Sequence, residues 1–228
     1  MAAGPGRSRA RAALRAALAT CLLAGVLAGA PARAEDAPAV PPKFRLEGPV
    51  LVYDTETAPE GVSDDMAEDD VAALIALLRA NPQVTTLALN SGGGSVWAGD
   101  RMAEVVIDFE LDTHVNGECI SACVTVFLGG ARRTMSRGSR IGFHQISWAP
   151  DSIRRFYESE REGERWDTPF DFAAWLYADT QTEAYQRLSY MVSRGVDPMF
   201  AIETLRTPTS ETWVPWRARL RAAGVLTE

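Results

Sequence analysis

Lysine is nearly missing. Lys43 is the only one in 228 residues, so a lysine base is available only if that single position reaches the site. Histidine is almost as scarce, with His114 and His144, and cysteine is confined to Cys21, Cys119 and Cys123. A zinc site takes about four ligands, and so few unclustered candidates predict no metal and no cofactor. Basic residues are outnumbered 23 to 30 by acids, for a net charge of −7. Nucleic acid and anionic lipid both repel such a chain, so neither is an expected partner. The main apolar stretch, Ala16 to Ala30, falls short of the roughly 20 residues that span a bilayer. No internal repeat is found.

What is present begins with an export pattern. Arg7, Arg9, Arg11 and Arg15 form a basic segment free of acids, the apolar stretch follows, and Ala32-Arg-Ala34 supplies a small-x-small cleavage site before Glu35. Cleavage after Ala34 and a periplasmic location are expected; an uncleaved N-terminal anchor is the alternative. No twin-arginine pair accompanies the pattern, so export of the unfolded chain is expected. Removing residues 1–34 leaves 18 basic and 30 acidic residues, a net charge of −12. An exported chain meets an oxidising compartment, which allows a disulfide between Cys119 and Cys123; two buried free thiols are the other reading. The expected organisation is a signal peptide at 1–34, an extended leader with Pro38, Pro41 and Pro42 at 35–45, and one domain at 46–228.

Within that domain, strand and helix patterns alternate. Val50 to Tyr53 reads as a short strand after a Gly-Pro turn. Thr55 to Asp70 is rich in acids and reads as a solvated loop entering a helix N-terminus rather than a metal site. Val71, Leu74, Ile75 and Leu78 share one helical face, and Asn81-Pro82 ends it. Val84 to Leu89 is a strand feeding into Asn90-Ser-Gly-Gly-Gly-Ser95. A second helix fits Val96 to Phe109, a short strand Thr113 to Val115, and an apolar helix Ile120 to Leu128. Arg132 to Ser136 and Ile141 to Gln145 read as a strand pair around Arg137-Gly138. Beyond His144 helices are predicted at 170–194, 198–206 and 216–223, with 158–165 a solvated surface segment. The alternation predicts α/β architecture with a largely parallel sheet.

The chemistry-bearing residues sit where strands end and helices begin, the usual place for sites in open α/β sheets. Ser121 opens a predicted helix and needs a base to become a nucleophile. His144, on a predicted strand, is the candidate base, with His114 the lesser one. A glycine loop at Gly92 to Gly94 and the helix start at Ala122 offer backbone N–H groups for a developing oxyanion.

Three blocks carry a family resemblance. Asn90-Ser-Gly-Gly-Gly-Ser-Val-Trp-Ala-Gly99 resembles the glycine loop of ClpP-type serine peptidases, Asn116-Gly-Glu-Cys-Ile-Ser-Ala-Cys123 their nucleophile segment, and Ser139-Arg-Ile-Gly-Phe-His-Gln145 the strand ending in their histidine. They occur in the family order, across about residues 46 to 146. The resemblance implies a ClpP/crotonase-like α/β fold, a (ββα)-repeat spiral with a helical C-terminal region. It implies Ser121 as nucleophile, His144 as base, Gly93 and Ala122 as oxyanion donors, and Gly94 keeping the loop open to substrate. Glu211 is the nearest carboxylate to the family's acid position, with Asp197 better read as a helix cap. Lys43 lies in the leader, which argues against the Ser–Lys dyad of related peptidases, and acidity with export argues against acyl-CoA chemistry. The expected function is an exported serine hydrolase, an ATP-independent peptidase with no ATPase partner, assembled as a trimer or hexamer of itself. A non-catalytic scaffold on the same fold and an esterase or acyl-transfer enzyme are the alternatives.

Overall fold

The computed structural model describes residues 40–164 and 166–228. The expected signal peptide, its cleavage site and the leader as far as residue 39 lie outside the described residues.

A mostly parallel sheet forms the centre. Strands β1 (Phe44–Glu47) and β2 (Val50–Asp54) make an antiparallel hairpin, and β3 (Thr86–Ser91) and β4 (Asp112–Ile120) follow in parallel beside β2. Helix α1 (Glu68–Ala80) connects β2 to β3, and α2 (Val96–Asp108) connects β3 to β4. The side-chain period of two along each strand puts Leu51, Leu87 and Thr113 in one row and Tyr53, Leu89 and Val115 in the next, all buried. Val52, Ala88 and His114 point to the other face. Helix α1 begins where Glu68, Asp69 and Asp70 complement the helix dipole, and Asp70 reaches back to accept from the Ala67 N–H at 2.8 Å.

Strand β4 differs from its expected extent in a way that builds the site. The sequence pattern predicts a strand only from Thr113 to Val115. The strand continues instead: Leu89 pairs with Val115 and Ser91 with Cys119, so β4 bulges by two residues around Gly117 and resumes pairing. The expected strand pair around Arg137-Gly138 is likewise corrected. Strands β5 (Arg133–Met135) and β6 (Arg140–Gly142) do not pair with each other; both lie parallel to β4, at its first and second halves. The Arg137-Gly138 turn shifts the chain along β4 rather than reversing it. Strand β6 stops at Gly142, which leaves His144 just past its end.

Helix α3 (Ala122–Leu128) packs on the core, with Cys123, Val126 and Phe127 fully buried. Residues 158–164, expected as a solvated surface segment, belong to a helix, α4 (Pro150–Glu164), which buries none of its own residues. It attaches to α5 (Pro169–Ser193) through aromatic side chains, Phe156 lying 5.9 Å between ring centroids from both Trp166 and Trp175. Short helices α6 (Pro198–Glu203) and α7 (Arg217–Ala222) and a 3-10 turn at Thr204–Arg206 complete the helical C-terminal region.

Candidate active site

Ser121 lies between the end of β4 and the start of α3, with φ 57° and ψ −124°. A side-chain-bearing residue in that region costs about 1–3 kcal/mol and persists only where its surroundings hold it there. Two constraints do so. The Ser121 N–H donates to Gly142 O at 3.1 Å, and a disulfide joins the fully buried Cys119 and Cys123 on either side, with Cα atoms 5.2 Å apart. A serine at a helix start ordinarily caps the next turn. Ser121 does not: its hydroxyl makes no capping hydrogen bond and has no partner among the described residues.

The glycine loop packs directly against this serine. At Gly93, φ is 105°, and a Cβ there would stand 2.9 Å from Ser121 Cβ and 3.1 Å from the Ala122 nitrogen. At Gly94, φ is 137°, and a Cβ would collide with the Met66 backbone at 2.5 Å. Only glycine fits both places. The loop's N–H groups are mostly spent on holding its shape. Gly92 donates to Glu56 Oε1 at 2.7 Å, Gly93 to Ser91 Oγ at 3.2 Å, and Ser95 to Met66 O at 2.9 Å. Gly94 is exposed, and its N–H has no partner among the described residues. Asn90 ties the loop to its neighbours, donating to Asp54 Oδ1 and accepting from the Glu118 N–H. Glu56, Met66 and Asn90 are positioning residues that sequence reasoning missed; Glu56 in particular was absorbed into a run read as solvated acids.

His144 is half-buried, on a segment fixed by backbone pairing. Phe143 and Trp213 exchange two hydrogen bonds of 2.9 Å, and the Gln145 N–H donates to Thr207 O at 2.8 Å. Nδ1 of His144 lies 2.7 Å from Gln145 O. A carbonyl only accepts, so Nδ1 carries a hydrogen, and in the neutral ring that leaves Nε2 as the acceptor. No hydrogen bond joins His144 to Ser121 in this state. Glu211 is exposed, no hydrogen bond links it to His144, and its own N–H donates to Pro208 O. The expected acid therefore does not orient the ring here; the Gln145 carbonyl occupies that hydrogen bond.

The remaining candidates resolve as structural. Both ring nitrogens of His114 are engaged, Nδ1 with Thr134 Oγ1 at 2.7 Å and Nε2 with Ser136 Oγ at 2.9 Å, on the sheet face turned away from Thr113 and Val115. Asp197 caps α6, accepting from the Phe200 N–H at 2.9 Å. Lys43 is buried and donates to Asp70 Oδ2 at 2.9 Å and Asp65 O at 2.6 Å, far from playing the part of a free base.

A cavity of about 230 Å³ opens beside Ser121 and Ala122, walled by α2 and α5. Val96, Ala103 and Tyr190 contribute to its lining, with Asp100, Glu104, Glu183 and Arg187 among them. Loss of solvent raises the Asp100 and Glu183 carboxyls above their ordinary range and lowers the Arg187 guanidinium below its own.

Residues 57–150 match the family model described as Clp protease. Among solved structures, a ClpP1 mutant from Listeria monocytogenes matches with a TM-score of 0.50 and 17% identity, covering 72% of this chain and 85% of that one. No curated protein matches. The fold is that of ClpP, and the matched segment contains the glycine loop, Ser121 and His144.

Proposed function

We propose that the chain is a serine hydrolase that cleaves peptides or unfolded protein segments without an ATPase partner. The observation that carries this reading is Ser121, a strand-to-helix serine held at positive φ with its hydroxyl left unused. Such a turn presents the oxygen outward at a helix N-terminus, as a nucleophile requires.

In the proposed reaction, Ser121 Oγ attacks the scissile carbonyl while His144 Nε2 takes its proton. The Nδ1–H···O=C bond to Gln145 holds the tautomer that makes Nε2 the acceptor. Catalytic hydrogen bonds commonly close only around substrate, which accommodates the open Ser121–His144 pair. The Ala122 N–H is one oxyanion donor. Because the Gly93 N–H is already given to Ser91, the loop donor is assigned to the unpartnered N–H of Gly94, and Gly93 is assigned the close packing against Ser121. Proton return from His144 expels the amine, and water then attacks the acyl-enzyme by the same route.

The N-terminal pattern supports export to the periplasm, and the helical C-terminal region with its exposed Phe170, Tyr177 and Tyr185 supports self-association into a trimer or hexamer. The exposed Glu211 favours one second reading, a fold that binds peptide without cleaving it. Reaction with a fluorophosphonate separates the two, since only an activated serine forms the covalent adduct. Cleavage of a peptide library then separates a peptidase from an esterase.

A further inference from the structure

We propose that the cavity beside Ser121 selects a lysine or arginine side chain on the acyl side of the cleaved bond. This rests on the hydrolase reading of Ser121. At about 230 Å³ the space is smaller than a site for a whole small-molecule ligand, and suits one side chain entering next to the attacked carbonyl. Its wall is mixed in the way a long basic side chain is mixed. Val96, Ala103 and the ring of Tyr190 offer apolar surface for a methylene stem, and Asp100, Glu104 and Glu183 offer carboxylates for a cationic head.

The charges are only partly cancelled from within: three carboxylates share the wall with one cation, Arg187. Neither Asp100 nor Glu183 has an ion-pair partner within 4.0 Å among the described residues, and Glu104 is paired only with the exposed Arg101. Such an exposed pair is weak and screened. Arg187 faces Asp100 without a direct bridge, and the charges acting on Glu183 are those of Asp179 and Asp100, both negative. Asp100 feels the cations Arg187 and Arg101 as well as Glu104, so it is Glu183, partly desolvated among like charges, that is short of a counter-charge, which an entering cation supplies. No group of three or more carboxylates, histidines or cysteines converges closely enough to hold a metal ion among the described residues. Spread carboxylates along an apolar trough fit an organic cation on a stem.

The test uses the full chain carrying Ser121→Ala, so that binding is read without turnover. Calorimetry with acetylated tripeptide amides ending in arginine, norleucine or glutamate should give arginine tightest, about tenfold over norleucine, with glutamate weakest, and the margin should shrink in high salt. Glu183→Gln should narrow the arginine-to-norleucine ratio severalfold, and Glu183→Lys should turn the preference toward glutamate. With Ser121 restored, kcat/KM for the matching substrates should follow the same order. Norleucine or glutamate binding as tightly as arginine overturns the proposal. A serine that reacts with fluorophosphonate but shows no basic preference removes the pocket assignment alone. Arginine-selective binding by a chain whose Ser121 does not react removes the hydrolase reading and leaves the pocket standing.

Discussion

At the scale of single residues, the site depends on what each polar group is already doing. The Gln145 carbonyl holds the His144 ring, so Glu211→Gln should leave kcat within about threefold of the parent, whereas removing an orienting acid costs orders of magnitude. Steady-state rates on any cleaved peptide check this. Cys119 and Cys123, both fully buried, constrain the Ser121 turn. Closing a loop this short is worth about 2 kcal/mol, so the double alanine variant should lose about that much in urea unfolding while Ser121 remains reactive, though slower. The packing of the glycine loop against Ser121 was legible because residue type and order both point to it. The proposed division of labour between Gly93 and Gly94 was not, because it turns on whether the Ser91 hydroxyl accepts from Gly93, a matter of side-chain geometry. Glu211 misled for a related reason: proximity along a segment says nothing about where a flexible carboxylate points.

At the scale of elements, cations clamp the C-terminal helices to the sheet. The buried Arg133 on β5 donates to Val225 O, Gly130 O, Arg194 O and Gly224 O at 2.9–3.2 Å. Arg194 closes α3 from its C-terminal end by donating to Leu128 O and Gly129 O, favourable for the helix dipole. Arg133→Met leaves several buried carbonyls unpaired and should cost about 3 kcal/mol in urea unfolding. Strand β1 and helix α4 were the elements least visible beforehand. The first lies next to a proline-rich leader and only makes sense once paired with β2. The second has a strongly charged sequence whose few aromatics, Phe156 and Tyr157, find partners outside the helix, on α5 and at Trp148 and Trp166. By contrast, α1 and α2 were clear, because a stripe of apolar residues at helical spacing is a local signal. Pairing of β5 and β6 with β4 is a long-range choice that the turn residues alone do not reveal.

At the scale of the whole molecule, acidity and burial act through pH. Burial, and then the charge of Arg217, lower the His114 pKa below its ordinary range. The folded state therefore keeps the ring neutral, while the unfolded chain takes up a proton below about pH 6.5. Stability from this group is present above that pH and is lost as pH falls toward the lowered folded value. Asp100 and Glu183, raised by desolvation, act with the opposite sign, so the variant comparison is the informative one. Between pH 7.5 and 5.5, the melting temperature of His114→Gln should change less steeply downward than that of the parent. The central claim concerns Ser121. Incubating the chain with a fluorophosphonate and mapping the adduct by peptide mass spectrometry should find one modified residue, Ser121, with labelling at least about a hundredfold slower in His144→Ala. No adduct, an adduct elsewhere, or a rate indifferent to His144 would contradict the account.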